Sequence, residues 1–185
     1  DERTLARLGA AVVRMHSGAG ASVQVLIGRD TRESGEWITA QLARGIESET
    51  GSVTDGGLLS TPAVAFLTRD GEFDAGIVVS ASHNPFRDNG VKVITGDGEK
   101  ADDDLEARIT ALVTDETWAV PDTPVPSVES IAFSESYSAH TSRILNGVTV
   151  PADLRIAIDC ANGATSQLAP AVLRGLGLDP IVLHD

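Results

Sequence analysis

The stretch Ser80-Ala81-Ser82-His83-Asn84-Pro85 follows the apolar run 75–79. It is soon followed by Asp88-Asn89-Gly90-Val91-Lys92. Hydroxyls, an imidazole, amides and an ammonium therefore gather at the end of an expected strand. A serine hydroxyl is a poor nucleophile unless a base or a strong electrostatic site assists it. No Gly-x-Ser-x-Gly elbow surrounds Ser82, and a histidine next to it in sequence does not by itself make a triad. A hydrolase is thus poorly motivated. A serine that carries a phosphoryl group and passes it to a sugar oxygen is better motivated, because that transfer needs placement and charge neutralisation more than a strong base. Asn84 can brace such a loop and Pro85 stiffens it. A divalent ion bound to the phosphate would relieve its charge. Lys92 could move a proton at the sugar hydroxyl, which needs a pKa drawn toward neutrality, or neutralise the phosphate. Each residue also has a plainer reading: Ser82 as a turn-capping hydroxyl, His83 as a structural hydrogen-bond partner, Lys92 as a solvated strand residue. Asn89-Gly90 taken alone is a turn, with left-handed backbone geometry expected there.

Other strand ends carry polar groups too. Gly28-Arg29-Asp30-Thr31-Arg32 follows the run 23–27, and such positions gather ligand groups in α/β sheets. Arg29 and Arg32 could address phosphate or pair with Asp30 and Glu33. The brace is favoured for Arg32, and Arg29 is left as a candidate support for the phosphate loop. Asp55 and Asp159 also fall at strand ends, without neighbours at metal-ligand spacing. Asp102-Asp103-Asp104 reads as a helix opening on a solvated face.

The elements that must position these residues alternate. Leu5, Leu8, Val12 and Met15 predict a helix over 2–16, ended by Gly18 and Gly20. A strand at 23–27 and a helix over 33–48 follow, with Trp37, Ile38, Leu42 and Ile46 as the inner face. A short strand at 52–54 leads to a turn at Gly56-Gly57. Thr61-Pro62 opens the next helix as cap and first position. Strands are expected at 75–79 and 91–94, a helix at 102–113, an extended Pro-rich connector through Pro121, Pro124 and Pro126, and a helix at 134–145. After Gly147 the pattern restarts with a strand at 154–158, a turn at 159–163, a helix at 165–175 and a strand at 181–183. Two strands and a helix bury little, so this second unit reads as incomplete.

Composition narrows the function classes. Hydrophobic residues make up 42% of the 185 and aromatics only 4%, so Val, Leu, Ile and Ala must build the core. The formal net charge of −13 argues against nonspecific contact with nucleic acid or anionic membranes. It leaves a small phosphorylated substrate open, because a local group of N–H donors and a few cations outweighs a distant negative surface. Of fourteen basic residues only Lys92 and Lys100 are lysines. Cys160 is the single cysteine, so no intrachain disulfide forms. No secretory pattern is present.

Taken together these motifs resemble the bacterial phosphoglucosamine mutases of the α-D-phosphohexomutase superfamily. Ser80-Ala81-Ser82-His83-Asn84-Pro85 resembles the family's phosphoserine loop, and 88–92 the segment that supplies its acid/base lysine. The segments 28–32 with Ser34-Gly35, Thr61-Pro62, and Asp159-Cys160-Ala161-Asn162-Gly163-Ala164 are similar to three further signatures. The last leans toward phosphoglucosamine mutase. The resemblance implies an α/β fold: a three-layer α/β/α domain 1 with a mixed sheet over 1–147, and the start of a similar domain 2 over 148–185. It implies Ser82, His83 and Lys92 as catalytic residues, supported by Arg29, Asn84 and Asn89. Mg2+ would meet Ser82 through its phosphate. Glucosamine 1,6-bisphosphate would be intermediate and primer in the interconversion of glucosamine 6-phosphate and glucosamine 1-phosphate. It also implies a cytoplasmic enzyme of peptidoglycan and amino-sugar supply, with room for a homodimer. The family's N-terminal signature, its aspartate-rich magnesium loop, its sugar-recognition loop and its C-terminal phosphate-binding domain do not occur in this sequence. The chain is therefore expected to be inactive without further domains. The competing expectations are a phosphomannomutase/phosphoglucomutase and a non-catalytic phosphosugar-binding module.

Overall fold

The computed structural model describes residues 1–16, 22–151 and 153–185. Gly18 and Gly20, expected to end the first helix, lie outside these. Two compact units divide the chain, residues 1–131 and 132–185.

The first unit is an α/β/α sandwich, as expected. Helix α1 (Glu2–His16) leads through β1 (Gln24–Arg29), α2 (Gly35–Ser48), β2 (Ser52–Leu58), α3 (Thr61–Asp70), β3 (Ala75–Val79), β4 (Val91–Thr95) and α4 (Asp103–Thr114) to the two-residue strand β5 (Glu129–Ser130). The sheet order is β4-β3-β1-β2-β5, parallel except that β4 runs antiparallel to β3. Strand alternation divides the sheet's faces. Val25, Ile27, Ala75, Ile77, Val79 and Val93 join Val12, Leu42, Ile46 and Ile109 in one buried cluster, so α1, α2 and α4 cover that face. On the opposite face α3 lies close to the sheet. A Cβ on Gly28 would run into the Val64 side chain, and one on Gly76 into the Thr68 hydroxyl. β3 is buried at every residue, as a central strand covered on both faces should be.

Several expectations need correction. Trp37 is 48% exposed and not on the inner face of α2. Ile38, Leu42 and Ile46 make the buried i, i+4 stripe, and one residue back rotates Trp37 about 100° away from it. Gly56 and Gly57 do not end β2. They form a bulge within it: Ile27 pairs with Asp55 and Arg29 with Leu58, so β2 uses one residue more than β1 there. Gly57 takes φ of 69°, and its N–H donates to Asp55 Oδ1 at 2.8 Å. The cap of α3 is Ser60, whose Oγ accepts from Ala63 N–H, while Thr61 and Pro62 are the first helical residues. Asp102 does cap α4, accepting from Leu105 N–H at 2.8 Å.

The second unit holds α5 (Ser134–Ile144), β6 (Ala157–Asp159), α6 (Leu168–Gly175) and β7 (Ile181–Leu183), with β6 and β7 parallel. The expected strand at 154–158 is shorter and later, because Leu154 N–H closes a turn onto Pro151 O at 3.1 Å. Among the described residues no helix is long and apolar enough to cross a membrane.

Candidate active site

Parallel strands deliver their following loops to one edge of a sheet. Here the loops after β1, β2 and β3 meet at that edge. Asp30 N–H donates to Val79 O at 3.1 Å, and Leu59 N–H donates to Arg29 O at 3.0 Å. The β1 loop is thereby tied to the end of β3, where the serine segment begins.

Ser82 is exposed and has a left-handed backbone, φ 57°. That conformation is uncommon outside glycine and costs a serine about 1 kcal/mol or more, so the surroundings must impose it. Ser82 N–H donates to Ser80 Oγ at 3.0 Å, and Asn84 N–H to Ala81 O at 3.2 Å, closing a tight turn around the serine. Among the described residues its hydroxyl has no hydrogen-bond partner, so it does not cap that turn. Lys92 extends from β4, where it pairs with Val78, and its Nζ donates to Ser80 O at 2.8 Å. The ammonium thus sits at the base of the loop, bonded two residues before Ser82. His83 is exposed, with no hydrogen-bond partner among the described residues, so it is not the structural partner of the plainer reading.

Asn84 and Asn89 contribute in different ways. Asn84 acts through its backbone, whereas the Asn89 side chain accepts from Ser34 Oγ and ties the loop to the start of α2. Gly90 has no positive φ, which corrects the expected left-handed turn. Close approach explains it instead: a Cβ there would lie 2.7 Å from Ser80 O. Ser80 N–H in turn donates to Gly90 O at 2.9 Å.

The two arginines take different roles. Arg29 turns toward β2, where it holds Asp55 through Nη1 at 2.6 and 2.9 Å, with a longer contact to Glu36 at 3.5 Å. It braces two strand ends and makes no bond to the serine loop. Arg32, expected to pair with Asp30, does so at 3.0 Å and in addition reaches the backbone of the serine loop at four carbonyls. Sheet order separates them. Arg29 is the last residue of β1, beside β2 as well as β3, whereas Arg32 stands beyond the strand, in the segment anchored to the end of β3.

No three His, Cys, Asp or Glu side chains among the described residues stand together as a cation site. These residues alone do not fit a resident metal ion.

Comparison with known proteins agrees with this geometry. The family model described as phosphoglucomutase/phosphomannomutase, alpha/beta/alpha domain I, matches residues 1–120. A phosphoglucosamine mutase of Solibacter usitatus is 40% identical over 99% of this chain, and one of Moorella thermoacetica is 41% identical over 98%. The chain spans 41% and 40% of those relatives' own lengths. Among solved structures, a phosphoglucomutase/phosphomannomutase family protein from Burkholderia thailandensis matches 99% of the chain with TM-score 0.75 and 26% identity, covering 39% of that protein. A phosphomannomutase-like protein from Thermus thermophilus matches 99% with TM-score 0.77 and 25% identity, covering 41% of it. An exposed serine on a braced loop, in a sandwich that this family's first domain matches over 120 residues, leads to one assignment: the chain belongs to the phosphoglucomutase/phosphomannomutase family.

Proposed function

We propose that Ser82 carries the transferable phosphoryl group of a phosphoglucosamine mutase, and that residues 148–185 open a second domain of that enzyme. The reading rests on one observation: Ser82 is exposed in a forced left-handed conformation, on a loop whose base holds the Lys92 ammonium. In the forward half-reaction the Oγ–phosphorus bond breaks and a bond forms to a hydroxyl oxygen of glucosamine 6-phosphate. The hydroxyl proton leaves as the serine oxygen regains one. The resulting bisphosphate, turned end for end, returns its other phosphoryl group to Ser82 and leaves glucosamine 1-phosphate. Lys92 lowers the cost of placing a dianion at this loop. Relatives named phosphoglucosamine mutase at 40 and 41% identity support the amino sugar as substrate. Mg2+, bound through the Ser82 phosphate, needs further ligands from outside the described residues.

Intact-mass and phosphopeptide analysis of the native protein tests this reading. The expected result is one phosphoryl group on Ser82, its loss in Ser82→Ala, and loss of mutase turnover in the full chain. Turnover by Ser82→Ala at the wild-type rate would refute it. Parallel assays with glucosamine, glucose and mannose phosphates decide the sugar. A preference for glucose or mannose phosphate would assign the chain to the phosphomannomutase/phosphoglucomutase branch that the solved structures represent.

A further inference from the structure

We propose that Arg32 is a positioning residue, which turns the carbonyls of the Ser82 loop inward so that the loop presents N–H groups to the anion on the serine. This rests on Ser82 bearing the phosphoryl group.

A guanidinium has five N–H donors in a fixed planar fork. Here all five have acceptors. Nε donates to Asp30 Oδ2 at 3.0 Å. Nη1 donates to Pro85 O at 2.6 Å and Asp88 O at 2.9 Å. Nη2 donates to Ser82 O and Asn84 O, both at 3.0 Å. The Arg32 side chain is only 10% exposed although the loop it holds is exposed, so it lies under the loop and not beside a ligand. Asp30 neutralises much of its charge and fixes its aim, accepting Arg32's own N–H at Oδ1 as well. A neutralised cation under a loop is a poor anion attractor but a good organiser of carbonyl dipoles.

The consequence follows from peptide planarity. All peptide bonds described here are trans, so the N–H after each carbonyl points opposite to it. The carbonyls of Ser82, Pro85 and Asp88 point to Arg32, so the N–H groups of His83, Phe86 and Asn89 point away from it. The peptide after Asn84 has no N–H, because Pro85 follows. Three other loop donors are used internally: Ser82, Asn84 and Asp88 N–H go to Ser80 Oγ, Ala81 O and Pro85 O. His83, Phe86 and Asn89 N–H have no protein acceptor among the described residues. Without Arg32 the four carbonyls have no shared partner, and peptide rotation would put oxygen where the phosphate needs donors.

The test uses Arg32→Lys and Arg32→Ala in the full chain. Lysine keeps the charge but has three donors and no fork. The expected result for both is about 100-fold lower kcat, the scale of a misplaced reacting group, with KM within a few-fold and faster hydrogen exchange across 82–89. Guanidinium ion, below denaturing concentration, should restore part of the Arg32→Ala turnover, and methylammonium should not. Wild-type kcat in Arg32→Lys, or equal rescue by methylammonium, would mean that charge suffices and would overturn the proposal. So would unchanged loop exchange in either variant. Should Arg32→Ala fail to fold, Arg32→Lys with its loop exchange decides. A wild-type protein without phosphate on Ser82, together with a fully active Ser82→Ala, is a separate result that removes the Ser82 reading and this proposal with it.

Discussion

At the scale of residues, the site edge depends on cations whose partners are backbone or half-buried carboxylate. Lys92→Met keeps the length and apolar stem and removes one hydrogen bond to Ser80 O. A charged hydrogen bond of this kind contributes about 2 kcal/mol, so the fold should survive. Without the ammonium that offsets charge at the loop, the single-turnover rate should fall on the order of 100-fold, with substrate affinity little changed. Equal single-turnover rates in variant and wild type would remove Lys92 from the chemical step. Arg29 should behave oppositely. It is 14% exposed, its partner Asp55 is 17% exposed, and the contact is two-pronged. Removing one partner of such a pair leaves the other charge stranded, at a cost of about 3 kcal/mol. Arg29→Met should therefore lower the denaturation midpoint while the folded fraction keeps its kcat. A selective loss of kcat at unchanged stability would return Arg29 to the phosphate. The serine loop could be singled out in the sequence because hydroxyl, imidazole and amide types cluster there. The division of labour between Arg29 and Arg32 was not legible, because it depends on which neighbouring strand each faces, a matter of sheet order that no local pattern carries. Ser60 and Thr61 illustrate the same limit. Both are good caps, and only the first helical φ and ψ separate them.

At the scale of elements, close approach explains more than conformational freedom does. α1 and α2 meet through Gly9 and Gly45. A Cβ on Gly45 would land on the Ala6 carbonyl, and one on Gly9 on the Leu42 carbonyl. Alanine raises helix propensity by about 1 kcal/mol over glycine, but the obstacle here is backbone and cannot swing aside. Overpacking of this kind costs about 1–3 kcal/mol or more, so the steric effect wins. Gly45→Ala should destabilise the first unit by about 2 kcal/mol, read from chemical denaturation. A stabilised variant would show that the helices can part freely. The expected helix at 2–16 and strands at 75–79 and 181–183 emerged as drawn, because their apolar patterns are long or uninterrupted. β5 was not legible: two residues following a Pro-rich connector carry no period, and only the open edge of β2 creates the strand. In the second unit, the ends of β6 and β7 are tied by Asp159. Its carboxyl lies below the usual range, chiefly because Ala161 N–H donates to it, and further because His184 does at 2.9 Å. A carboxyl depressed in the folded state stabilises above its unfolded pKa, about 3.9. That contribution fades as pH falls below this value and through the folded one. Acid should therefore loosen the 159–163 turn, and Asp159→Asn should flatten that dependence. Identical acid profiles for wild type and Asp159→Asn, followed at the β6 and β7 amides, would exclude the clip.

At the scale of the whole molecule, the two units differ in how much apolar surface they bury. The first has a continuous core from Val12 through Ile27, Leu42 and Ile77, with β3 buried throughout. In the second, Cys160 and Leu178 are the buried hydrophobic residues apart from prolines among the described residues, while Ile181 and Leu183 remain 62% and 46% exposed and β6 is buried at no residue. Burial of apolar area at about 25 cal/mol per Å2 is the main term opposing chain entropy, and a two-stranded sheet gains too little of it to stand firmly. Local opening energies should follow this difference. In hydrogen exchange on the 185-residue chain, amides of β1 and β3 should exchange only on global opening of the first unit. Those of β6 and β7 should exchange at least about 100-fold faster. A longer chain that covers Ile181 and Leu183 should slow β6 and β7 while leaving β1 and β3 unchanged. Equal protection of both sheets in the 185-residue chain would mean that the second unit draws stability from something other than apolar burial.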